Sequence, residues 1–329
     1  MGPFAHDDKI TPVHVAALAG GVGAGKFLRG LVRAVPAERV TVVVNTGDDI
    51  RVHGLHVAPD LDSVTYWLAG VADRDRGWGR SGETFRATGE LRALGAAGAW
   101  FGLGDLDLAT HLFRTGLVDQ GATLSEATAA IASRFGILAQ VLPMSDETVT
   151  THLGVLDEAG RPLDLHFQEY WVRRGGRDRV KTVCFDGANR ARAAPGVLES
   201  LAGADAVLFC PSNPIASIGP ILAVPGVRDA LARRRTSVAG VSPIVGGAPL
   251  RGMADRLLPA AGVEVSAAGV AEHYEGLLGG WVIDERDAAM AARIRVRGVR
   301  VAVTDSIMVD DGAAERLARV ALRVAGAPA

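Results

Sequence analysis

The chain has 329 residues, of which 48% are hydrophobic and 22% charged. This is the make-up of a globular protein of about two domains with a large core, and it excludes a disordered chain or a disulfide-stapled miniature. With 35 basic and 37 acidic side chains the formal charge is -2, so there is no basic excess of the kind that holds nucleic acid. Cys184 and Cys210 lie in apolar runs, at neither metal nor disulfide spacing. No apolar run of ~18 residues reads as a membrane span, and the stretch from Met1 to Pro12, with Asp7, Asp8 and Lys9, has no signal-peptide core. The expectation is a cytoplasmic chain.

The first apolar run, Val13 to Ala19, reads as a strand that ends at Gly20 and Gly21. A helix follows from about Gly25 to Val35, with Phe27, Leu28, Leu31 and Val35 on one face, and Val40 to Val44 is a second buried strand. This β-α-β opening predicts an α/β fold: a Rossmann-like, doubly wound, mostly parallel sheet covered on both faces. Helical stretches near Asp105 to Arg114 and Ser125 to Phe135 precede an alternating segment. That segment pairs Val149 to Leu156 with Leu163 to Phe167 as a hairpin. Further strands are expected at Ala206 to Cys210, Ser237 to Val241 and Val299 to Val303, with a closing helix carrying Leu317, Val320, Ala321 and Val324. The reading is a nucleotide-binding core of residues 13–70 and 191–329, interrupted by an inserted α+β substrate-binding subdomain of residues 71–190.

Between the first strand and helix stand Gly20, Gly21, Gly23, Gly25 and Lys26. Glycines at that junction let backbone N–H groups approach a phosphate at a helix amino terminus; the plainer reading is a tight strand-to-helix turn. The run matches most of a Walker A loop, but Phe27 stands where a Ser or Thr should hold magnesium, which disfavours a P-loop kinase. The dinucleotide pattern fails too, with Lys26 in place of its last glycine. The only lysines are Lys9, Lys26 and Lys181, so arginine supplies the other 32 of the 35 cations and a lysine in this turn stands out.

Asn45-Thr46-Gly47-Asp48-Asp49 follows the second strand, at the sheet edge where open α/β folds bind ligands. Pro59-Asp60-Leu61-Asp62 follows within ~15 residues, and two acidic clusters beside a phosphate turn suit a magnesium ion with oxygen ligands. Taken singly, Asp60 also reads as a helix cap over Ser63, and Asp48 and Asp49 as a solvated turn. His53 and His56, lacking further His or Cys at zinc spacing, are expected to contact ligand or to pack. After the Ala206 to Cys210 run, a Pro-stiffened loop carries Ser212, Asn213 and Ser217, whose polar groups suit a base edge or a ribose and equally suit a helix cap.

These motifs occur in one order together with Gly102-Leu103-Gly104-Asp105, Pro143-Met144-Ser145-Asp146 and Thr304-Asp305-Ser306-Ile307-Met308. Over Val13 to Leu322 the chain resembles the 2-phospho-L-lactate transferase family of coenzyme F-420 biosynthesis, including its bacterial phosphoenolpyruvate branch. Leu106 departs from the basic residue expected there. The resemblance implies transfer of a phospholactyl or phosphoenolpyruvyl group from a GDP-linked donor to the ribityl hydroxyl of the deazaflavin Fo. GMP leaves, F-420-0 or its dehydro form is made, Mg2+ is the cofactor and the protein is a homodimer. Asp48, Asp49 and Asp60 would hold magnesium or place the acceptor hydroxyl. Gly20, Gly21, Gly23, Gly25, Lys26, Asn45, Thr46, Ser145, Asp146, Ser212, Asn213 and Ser217 would bind the nucleotide, while Asp60, His56 and Trp100 would border the acceptor. A sister family, the gluconeogenesis factors, resembles the same fold and turn and implies the alternative of a sensor of nucleotide sugars. The run Asp48 to His53 fits the transferase pattern better.

Overall fold

The computed structural model describes residues 13–327. The amino-terminal stretch read above as lacking a signal-peptide core lies outside the described residues. Seven strands make one sheet: β1 (Val15–Ala19), β2 (Val40–Val44), β3 (Gln140–Pro143), β4 (Ala206–Phe209), β5 (Val238–Val241), β6 (Gly280–Asp284) and β7 (Arg300–Thr304). They lie in the order β7-β6-β5-β4-β1-β2-β3, and every neighbouring pair is parallel. The chain therefore starts mid-sheet, builds to one side, and returns to build the other. The reversal between β1 and β4 is the topological switch point, where doubly wound sheets open a crevice.

Both faces of this sheet are covered, which is why its strands read as apolar runs rather than as alternating ones. In β1, Ala16 and Leu18 enter one core while Val15, Ala17 and Ala19 enter the other. Four helices position the site: α1 (Gly21–Ala34), α2 (Pro59–Ala69), α3 (Asp105–Asp119) and α4 (Asp311–Ala325). Phe27, Leu28 and Leu31 of α1 share a core with Leu61 and Val64 of α2 and with Leu317 and Leu322 of α4. A Cβ on Gly30 would lie 2.1 Å from the Ala314 carbonyl carbon, so glycine permits the close crossing of α1 and α4.

The hairpin expected in the middle of the chain is present, with Thr150–Leu156 antiparallel to Pro162–His166. A third strand, Arg179–Asp186, pairs on the other side of Thr150–Leu156. The range 71–190 is not wholly separate from the core, because β3 lies within it and pairs with β2 at Val42 and Val141. The apolar run that marks β3, Val141 to Met144, is only four residues long, and periodicity alone does not tell so short a run from a piece of helix. Helix α1 starts at Gly21, four residues earlier than expected. Among the described residues no single helix is long and apolar enough to cross a membrane.

Candidate active site

The carboxyl ends of β1, β2, β4, β5 and β7 open into one cavity of about 1260 Å³. Its floor is the glycine turn. Gly20 is extended and its N–H donates to Ser212 Oγ at 3.1 Å, tying the β1 and β4 loops together. Gly21 has φ +72°, a backbone state that favours glycine, and α1 begins there. The remaining glycines belong to the helix and serve close approach rather than loop freedom. A Cβ on Gly23 would lie 2.6 Å from the Pro211 carbonyl oxygen, and one on Gly25 would lie 2.4 Å from the Trp67 ring. Helix α1 takes no cap from its own N-cap residue, Gly20, and has no acid of its own in its first turn. Its leading N–H donors and positive dipole end therefore face the cavity beside Gly20 to Gly23, an arrangement suited to phosphate oxygens.

Two carboxylates stand beside this turn. Asn45, wholly buried after β2, donates from Nδ2 to Asp60 Oδ2 at 2.9 Å and to Asp48 Oδ1 at 3.2 Å. Its Oδ1 accepts from Gly47 N–H at 2.8 Å, which fixes the amide's orientation. Gln168 Nε2 donates to Asp48 Oδ2 at 2.7 Å. Asp60 is the second residue of α2 rather than its cap, and its carboxyl lies against Gly21 N–H and the Ser217 hydroxyl. A Cβ on Gly20 would come within 2.3 Å of Asp60 Oδ2, so only glycine admits that acid here. Burial pushes the Asp60 pKa up to about 7, against the lowering effect of the Asn45 hydrogen bond. Burial, then the Asp60 and Asp49 charges, hold Asp48 well above the usual carboxylate range. Both acids line the cavity, so the solvated-turn and capping readings do not hold for Asp48 and Asp60.

Several expected site residues lie off the cavity wall. Asp49 is partly buried and accepts from His56 Nε2 at 2.8 Å, and neither side chain lines the cavity. Thr46 is buried and does not line the cavity. Ser145 is wholly buried and bonds Glu147 at 3.0 Å, while Asp146 Oδ1 accepts from Ser125 N–H at 2.7 Å and holds the start of the helix Leu124–Arg134. Trp100 packs edge-on against Phe101 at 5.6 Å, and Phe101, not Trp100, reaches the wall. In the β4 loop Ser212, Asn213 and Ser217 all line the cavity. Asn213 also caps the following turn, its Oδ1 accepting from Ile215 and Ala216 N–H at 2.9 and 3.1 Å.

Other residues on the wall were not singled out from sequence. Trp78, Phe85, Phe101 and Trp171 form an aromatic side of the cavity, and Trp78 and Trp171 remain 42% and 40% exposed. On the same wall Asp62 of α2, part of the second acidic cluster, is ion-paired with Arg114 of α3, while Tyr66 donates to Asp107 at 2.7 Å and His111 lies 3.3 Å from Asp107. Tyr66 and Asp107 are 41 residues apart and Asp62 and Arg114 are 52 apart, so no local spacing marked those pairs, whereas Asp107 and His111 stand one turn apart on α3.

Residues 15–324 match the family described as 2-phospho-L-lactate transferase CofD. The chain belongs to that family. It is 47% identical to the phosphoenolpyruvate transferase of Streptomyces griseus over 95% of this chain and 98% of that one. It is 49% identical to that of Streptomyces coelicolor over the same shares. Against the one from Mycolicibacterium smegmatis it is 42% identical, again over 95% and 98%. Two crystal structures of a UPF0052 family protein from Bacillus halodurans superpose with TM-scores of 0.63 and 0.62. They cover 95% of this chain and 99% and 100% of those chains at 14% and 16% identity, and so bear on the fold alone. As a CofD family member the protein is a transferase.

Proposed function

We propose that this CofD family transferase moves a phosphoenolpyruvyl group from a GDP-linked donor to the ribityl hydroxyl of Fo, releasing GMP and forming dehydro-F-420-0. The names of its relatives at 42–49% identity favour the enolpyruvyl over the phospholactyl donor. The observation that carries the reaction class is the joining of buried Asp48 and Asp60 by one Asn45 amide, beside the start of α1, whose first amide, Gly21 N–H, lies against Asp60. Two carboxylates held together out of water repel one another, and hard oxygen donors of this kind fit Mg2+. Asp48 and Asp60 would hold the ion, which when bound offsets negative charge on the diphosphate. Asp49 acts through His56 rather than on the ion.

The chain's own groups provide the rest. The first-turn amides of α1 receive the diphosphate and point fixed dipoles at the oxygens where charge builds up. Ser212, Asn213 and Ser217 sit where the guanosine end would lie, next to the turn that Ser212 braces. The exposed faces of Trp78 and Trp171 offer the flat apolar wall that a deazaflavin ring needs, taking the part expected of Trp100 and His56. In the transfer the ribityl oxygen forms a bond to the β-phosphorus, the bond from that phosphorus to the GMP oxygen breaks, and the hydroxyl proton is released.

The test is incubation with Mg2+, Fo and the enolpyruvyl-GDP donor, followed by mass spectrometry of products. GMP and a phosphodiester of Fo are expected in equal amounts. Folded protein that yields neither, with the phospholactyl donor tried as well, overturns the assignment. Tight binding of a nucleotide sugar with indifference to Fo would instead favour a sensor.

A further inference from the structure

The cavity has a second electrostatic pole, away from the acids. Lys26 of α1 and Arg251, from the loop after β5, both line it, and neither pairs with a carboxylate among the described residues. Their neighbours are matched: Arg74 with Asp311 at 3.0 Å and Arg76 with Asp73 at 3.0 Å. Lys26 Nζ and Arg74 Cζ each lie 5.8 Å from the centre of the Trp67 ring, which backs this corner with an apolar surface. The Arg251 guanidinium is hydrogen-bonded to the Arg76 carbonyl and rests against Gly77, where a Cβ would lie 1.9 Å from its Nη1. It is therefore held in place rather than left to sweep through solvent. Burial, then the charges of Arg251 and Arg74, lower the Lys26 pKa, as expected for a cation lacking its counter-ion. Gathering unmatched cations costs free energy that an anionic ligand recovers.

The position of this pole relative to the turn identifies the anion. Gly23 faces the β4 loop at Pro211, whereas Lys26 faces Trp67 of α2. Lys26 is also four residues, about 6 Å along the axis, beyond Val22 on the cavity side of α1. A GDP-linked acid with its diphosphate on the turn and its guanosine toward the β4 loop extends its free carboxylate toward Lys26. We propose that Lys26 and Arg251 form an anion subsite that receives the carboxylate of the three-carbon acid carried on the donor's diphosphate. This rests on the donor class proposed above and reassigns Lys26 from the nucleotide to the transferred group.

The test is calorimetry in Mg2+ with three stable probes: GDP, GDP esterified on its β-phosphate with lactate, and the matching lactamide ester. The wild-type protein is expected to bind the lactate ester roughly tenfold more tightly than the lactamide ester, the worth of one charge-assisted contact. Lys26→Gln and Arg251→Gln should each erase most of that preference and shift GDP affinity by less than about threefold. Lys26 is half-buried and Arg251 is exposed, so the variants should melt near the wild type. Equal losses for GDP and both esters would place Lys26 on the phosphates and overturn the subsite, as would a preference that survives both substitutions. A wild-type protein that binds no GDP at all would instead overturn the donor reading beneath it.

Discussion

Asp60 shows how a single carboxyl group couples function to stability. In water its pKa would be 3.8; burial, with the Asp49 charge, raises it to about 7 against the lowering hydrogen bonds from Asn45, Ser217 and Gly21. Without a cation, the native state thus keeps a proton that the unfolded chain releases near pH 4. The contribution of this group to stability accordingly falls as pH rises from about 4 to about 7 and is level above. Asp60→Asn removes that penalty. In EDTA at pH 8 the variant should be more stable than the wild type by roughly 1–4 kcal/mol, with the gap narrowing toward pH 5. Its turnover should fall about 10²–10³-fold. Thermal melting at the two pH values, with a GMP-release assay, checks both; equal melting throughout would mean that Asp60 ionises freely in the native state. The motif alone pointed to Asp60, but the choice between capping and ligand roles needed Gly20 and Asn45 in view.

Helices α2 and α3 are joined by charge across their packing surface. Arg114 is fully buried and ion-paired with Asp62, and it also donates to the His56 carbonyl at 3.3 Å. At the start of α3, Glu83 accepts from Leu106 and Asp107 N–H at 2.8 and 2.7 Å, satisfying donors that the helix leaves open. Leu106 thus contributes its backbone, while its exposed side chain replaces the basic residue expected there. Arg114→Met leaves the buried Asp62 charge with only the His111 ring, 3.5 Å away, and should cost about 3–5 kcal/mol in urea unfolding. Asp62→Leu combined with Arg114→Met should recover much of the loss, since both charges then disappear together. A single variant as stable as the wild type would show the pair to be solvated. Periodicity located both helices; it carried no sign of the contact between them.

Across the whole molecule, the cavity exists because the sheet reverses between β1 and β4 and leaves their carboxyl ends uncovered. The Asp48–Asp60 pair and the α1 amides meet there, so nucleotide and cation should bind cooperatively. GDP with Mg2+ should raise the melting temperature by more than the two separate shifts combined. At 100 times Kd the gain corresponds to about 2.7 kcal/mol. The Mg2+ shift should be larger at pH 8 than at pH 6, because the ion competes with the proton on Asp60. Differential scanning fluorimetry across that range is sufficient, and strictly additive shifts would separate the two sites.

What the sequence determined by itself was local: apolar runs long enough for β1, β2, β4, β5 and β7, the glycine turn, and the acids that follow β2. These features arise from contacts between near neighbours, where spacing and residue type carry the information. Strand β6 went unread although Trp281 anchors it, filling space that a Cβ on Gly240 would enter at 2.4 Å. Tertiary structure alone decided which groups face the cavity. Gln168 reaches Asp48 across 120 residues and Ser212 reaches Gly20 across 192. Such pairs are set by strand order, and strand order is a property of the packed sheet that no single segment of the chain contains.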